Sequence, residues 1–272
     1  SGLSVLVGNK ILRLGEGGGF REQAEQTAEG ATFTWQSGQL SVTEAFRVSA
    51  AQPDAVTVEI SVTNLSNSAL NVGLRLCLDT YLGEEQLGHF RTDRQSEINR
   101  EATLLPEDGV KFWASPAPAP GGQAGLFSLT SGTPVTVPDR VVFANWKRLS
   151  EAPWAYETSQ TRNFNLVPYS INDSAACLYY GPGPLGAGQS RTIRIRISAN
   201  REPPAGALPP LPPQAAPAVE AAAPTPTAPA ASATATAHTT STSAHAAGAA
   251  SVRAAGATVL GRLEQARRDR PQ

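Results

Sequence analysis

The chain has 272 residues, with 22 Lys and Arg against 23 Asp and Glu and a formal net charge of −1. Such a mixed, near-neutral balance excludes the concentrated basic face that nucleic-acid binding requires. No apolar run approaches the roughly 18 residues of a transmembrane helix, and no signal peptide is visible.

Taken in chain order, the first 200 residues read as strand after strand. Stretches 4–14, 32–36 and 39–48 carry β-rich composition, and the glycine-rich run 15–19 between the first two reads as a turn or mobile loop. Val56, Val58, Ile60 and Val62 then alternate with Thr57, Glu59, Ser61 and Thr63, the period of a half-buried strand. After the turn residues 64–68, Val72, Leu74, Leu76 and Leu78 alternate with Gly73, Arg75, Cys77 and Asp79, which predicts an antiparallel hairpin with the preceding strand. Residues 84–100 are polar and poorly patterned, and are the one stretch of the fold with some helical character. Further strands are predicted at 110–114, 125–130 and 140–146. A second hairpin is predicted where 175–180 and the Ile193, Ile195, Ile197 strand flank the Gly/Pro run 181–188. Arg194 and Arg196 fall opposite those isoleucines, on a face that is either solvated or the polar side of a concave sheet. The fold class is therefore all-β, an antiparallel β-sandwich over residues 1–200.

All 4 Trp, 5 Tyr and 8 Phe lie at or before Tyr180. From 201 to 250 the chain is Ala, Pro, Thr and Ser with almost no charge, a composition that cannot offset the entropy of folding and predicts a disordered linker. At 251–272, Val252, Ala255, Val259, Leu263 and Ala266 recur at helical spacing beside several Arg residues. That pattern predicts a short helix, a frayed end, or the truncated start of a further domain. With no Met among 272 residues, the chain is expected to start after a processing site or to be cut from a larger protein. The tether composition resembles linkers of bacterial envelope proteins, which predicts a periplasmic or cell-surface location.

Two groups of residues carry candidate chemistry. Asp79, Glu84, Glu85, His89 and Asp93 fall within fifteen positions at a strand end, a density of carboxylates that could supply an acid and a base. Their spacing matches no EF-hand loop and no HExxH, and no GxSxG marks a nucleophile, so neither a metal nor a cofactor is predicted. The alternative is a capped turn with solvated charges. The second group is aromatic: Trp146, Trp154, Tyr156, Phe164 and Tyr169 interleave with Arg148, Arg162 and several Asn residues. Stacking rings beside fork donors suit a glycan or peptide, and Trp146, Arg148, Trp154, Tyr156 and Arg162 form the candidate ligand set. The alternative is that these rings fill one end of the core. Cys77 and Cys177 either form a disulfide or are two separate buried thiols.

Two stretches, 72–83 after a Val-Thr-Asn turn and 164–180 before a Gly-rich turn, carry a family likeness. Together they resemble the galactose-mutarotase-like β-sandwich modules of bacterial, spirochaete-type envelope proteins, over about residues 30–198. The resemblance implies a sandwich with a sugar- or partner-binding face. The family's enzymes carry a His pair and a Glu base, whereas His89 is the one His before the tether. The expectation is thus a non-catalytic envelope module that binds a glycan or protein partner. Its alternatives are a carbohydrate-active enzyme using the 79–93 carboxylates and a purely structural module.

Overall fold

A computed structural model describes residues 1–16, 19–49, 52–80, 89–116, 125–129, 135–152 and 154–198. The predicted linker and terminal helix lie outside the described residues, as does Glu84. β1 (Gly2–Val7) turns at Gly8, whose φ of 58° suits glycine, into β2 (Lys10–Arg13). A four-strand meander follows: β3 (Arg21–Thr27), β4 (Gly30–Gln36), β5 (Leu40–Ser49) and β6 (Gln52–Asn64). Next come β7 (Leu70–Asp79), the short β8 (Arg91–Thr92) and β9 (Ala102–Leu104), then β10 (Phe112–Pro116), β11 (Gly125–Leu129) and β12 (Arg140–Asn145). A helical turn and a half, α1 (Trp146–Glu151), precedes β13 (Ser174–Leu185) and β14 (Ser190–Ser198).

The strands make two antiparallel sheets. One runs β2-β1-β7-β13-β12-β9, the other β3-β4-β5-β6-β14-β11-β10-β8. The rows read from the sequence meet between them: Val58, Ile60, Val62, Leu74, Ile193 and Ile195 are buried in one apolar core, and Ile197 packs partly against it. The chain is an all-β sandwich.

The pairing of those rows differs from the predicted hairpins. β6 pairs with β5 and β14, whereas β7 pairs with β1 and β13, so the 64–70 connection crosses from one sheet to the other. The 185–190 connection crosses likewise, because β13 and β14 belong to different sheets. Asn64 explains how both corners form. Its buried side-chain amide donates to the carbonyls of Ser68 at 2.7 Å, Leu185 at 2.9 Å and Gly186 at 3.1 Å, while its carbonyl oxygen accepts from the Ser66 amide and hydroxyl. One side chain thus ties the backbone of both corners together.

The helical character predicted at 84–100 is absent from its described part, 89–100. Thr92 Oγ1 there accepts from the Arg94 and Gln95 amides in a tight turn, and Phe90 bridges to Ile98, burying both. β3 was not foreseen: its seven residues are all exposed, so it is held by pairing to β4 without an apolar row. α1 was missed as well. The chain leaves the strand at Asn145, whose Oδ1 accepts from the Arg148 amide as an N-cap.

A second apolar layer lies on the outer face of the six-stranded sheet. Cys77 and Cys177 stand directly opposite in the β7–β13 register and form a disulfide, with Cα atoms 4.0 Å apart. Val142, Ala144, Leu149 and Tyr179 pack with them beneath Trp146, Trp154 and Tyr156. The outer face of the other sheet is polar, with Arg194 paired to Glu59 at 2.7 Å and hydroxyls matched at Ser61–Thr192 and Thr63–Ser190.

Candidate interaction site

The loop from α1 to β13 covers that second apolar layer, and a carboxylate outside the predicted set holds it there. Glu101, just before β9, has a fully buried side chain. It accepts from Arg148 Nη1 at 3.0 Å, Tyr156 Oη at 2.7 Å, the Ser159 amide at 3.0 Å and Arg162 Nε at 2.8 Å. Two guanidinium groups outweigh one carboxylate, which is what keeps a charge tolerable at this depth. Burial, the hydrogen bond to Glu101 and its charge push the Tyr156 phenol well above its ordinary value, against the opposing pull of Arg162 and Arg148.

The structure therefore brings Arg148, Tyr156 and Arg162 together, but aims them inward at Glu101. Arg148 also donates to the Asn163 and Asn165 carbonyls, and Arg162 to that of Glu157. Trp154 stands edge-on to Tyr179, with the Arg75 guanidinium over its ring. It fills the space above Gly73, where a Cβ would come within 2.8 Å of the indole. Trp146 packs partly on the disulfide layer. These rings and donors are the walls of a covered layer.

Of the second candidate set, Asp79 is exposed at the end of β7. Asp93 is exposed too, and its carboxylate accepts the Lys111 amide at 2.9 Å. His89 is buried with its ring 4.5 Å from Phe164. Among the described residues, no cluster of three or more His, Cys, Asp or Glu could hold a metal ion. A cleft of about 350 Å³ over β3 and β4 is lined by Gln23, Ala24, Glu25, Thr32 and Thr34.

At the 166–171 tip, what the loop offers to solvent is mainly apolar. Val167, Tyr169 and Ile171 are 71%, 74% and 59% exposed, the three most exposed large hydrophobic residues among those described. They share one tip with Pro168. Asn145 Nδ2 donates to the Phe164 carbonyl and Ser170 Oγ, both at 2.8 Å, and Ser170 Oγ donates to Asp173. The Tyr169 and Ser170 amides bond to the Leu166 carbonyl, and the Leu166 amide to that of Ser170. Asn165 Oδ1 accepts the Asn172 amide, with Asn172 in the left-handed region at φ 51°. The tip is thus preorganised. The sequence signal is Val-Pro-Tyr-Ser-Ile, an apolar run set between asparagines, in which the aromatic pattern marks Tyr169 alone.

Glu44 was also missed. It stands in the core-facing row of β5 between Val42 and Phe46, opposite Phe33 on β4 and Ile60 on β6, and burial raises its pKa to about 7.

No protein-family model and no curated protein sequence matches the chain. Solved structures align with the chain at low similarity. A galactose mutarotase related enzyme from Lactobacillus acidophilus aligns with TM-score 0.40 at 8% identity, over 67% of this chain and 71% of that one. A galactose mutarotase-like protein from Lactobacillus casei gives 0.38 at 10%, over 66% and 73%. A kojibiose phosphorylase described from the human microbiome gives 0.32 at 13%, over 72% of this chain and 21% of that one.

Proposed function

We propose that the chain is a non-catalytic docking module of the bacterial cell envelope, acting outside the cytoplasm through the 166–171 tip. The observation that carries this reading is three large apolar side chains held in solvent on a loop braced by hydrogen bonds at both ends. Exposed apolar groups clustered on a rigid frame mark interaction sites more often than chance exposure does, and the frame removes the ordering cost of binding. The disulfide supports an oxidising compartment, since such bonds are rare where thiols are kept reduced. An apolar contact is favoured over a glycan, because Arg148, Tyr156 and Arg162 are already engaged by Glu101.

The test is the variant Val167→Ser/Tyr169→Ser/Ile171→Ser, expressed in a bacterium with export to the periplasm. The reading predicts an unchanged melting temperature and loss of the chain from the sedimenting envelope fraction. Equal retention of the folded variant would reject the tip as the contact.

A further inference from the structure

The area and the backbone of the tip indicate what it contacts. Three side chains at these exposures present on the order of 400 Å² of surface, half of the about 800 Å² that a stable protein interface takes from each partner. A lipid surface sets no such minimum, because a few apolar side chains partition by burial alone. Entering lipid carries a different requirement, that backbone polar groups be satisfied internally. The tip meets it in part: the amides of Leu166, Tyr169 and Ser170 are bonded within the tip, that of Asn172 bonds to Asn165, and Pro168 has no N–H, while the Val167 and Ile171 amides carry no bond among the described residues and so hold the tip at the hydrated headgroup level. Tyr is also the side chain suited to the boundary between headgroup and acyl chain, with an apolar ring and a hydroxyl that stays wet. We propose that the 166–171 tip inserts into the interfacial layer of a phospholipid bilayer, with Val167, Tyr169 and Ile171 as the inserting groups. This rests on the docking reading above and names its partner.

The probe is vesicles of phosphatidylethanolamine and phosphatidylglycerol, mixed with the full chain and floated on a density gradient. The chain is expected to float, and the Val167→Ser/Tyr169→Ser/Ile171→Ser variant to lose at least about tenfold in partitioning. If that variant melts early, Val167→Ser and Ile171→Ser singly replace it, each expected to weaken flotation several-fold. Tyr169→Trp is expected to float as the parent does and to be quenched by brominated acyl chains. Flotation equal in parent and serine variants would overturn the proposal, as would a parent that stays at the bottom. In the latter case a photoreactive side chain at position 169 separates the two readings. Cross-linking to a protein in envelope extract removes the lipid and leaves the docking reading standing; no cross-link removes both.

Discussion

Glu44→Gln isolates one buried charge. The carboxyl lies in the apolar row of β5, 8% exposed, and burial alone raises it from 4.5 to about 7. The folded state therefore holds the proton in a pH range where the unfolded chain has released it. Below about pH 4.5 both states are protonated and the group costs nothing. Between 4.5 and 7 the native state binds more protons than the unfolded one, so stability falls as pH rises, by about 1.4 kcal/mol per pH unit. Above 7 both states are ionised and the loss levels off at about 3 kcal/mol. Glutamine has nearly the same shape and no charge at any pH. The difference between variant and parent should accordingly be near its minimum at pH 4.5 and grow by about 3 kcal/mol by pH 8, in favour of Glu44→Gln. Urea melts at pH 4.5, 6 and 8 measure it, and for a urea slope of about 2–3 kcal/mol/M the midpoint gap should widen by about 1 M or more. Other titrating groups cancel in the comparison. A gap that does not change with pH would instead place the carboxylate in water or against a cation.

Asn64→Ala should cost about 1–3 kcal/mol, because it removes the side chain that ties the two sheet crossings together and takes a donor from the buried Leu185 carbonyl; chemical denaturation measures it. Glu101→Gln should cost about 3 kcal/mol by leaving two guanidinium groups facing no counter-charge, partly relieved by water at the half-exposed Arg162, and should speed proteolysis within 146–173 before global unfolding. Ile195→Asp should abolish stable folding, as it places an unpaired charge at a fully buried position; a retained cooperative melt would break the assigned register.

The apolar rows of β6, β7 and β14 were legible because a period of two states which residues share a face. It does not state which sheet a strand joins, so both corners read as hairpins, whereas Asn64 binds carbonyls 121 and 122 residues away. β3 has no apolar row and was invisible for that reason. Glu44 was legible in principle, as a carboxylate in the register of Leu40, Val42, Phe46 and Val48. For the site, local composition picked out Arg148, Tyr156 and Arg162, yet their common partner lies 47 to 61 residues upstream. Without Glu101, inward-facing donors and ligand-facing donors look alike in a sequence. Exposure of Val167 and Ile171 was hidden too, since apolar residues in a loop ordinarily pack beneath it.

The 166–171 tip is proposed as the surface that meets the envelope. Site-specific photo-crosslinking tests it most directly, with a photoreactive residue at Tyr169 and a control at Gln26 on the exposed β3. Both chains are exported to the periplasm and irradiated in intact cells. Covalent products, with lipid or protein, are predicted from position 169 and not from position 26. Equal yields from the two positions, or none from 169, would show that the tip is not the contact surface.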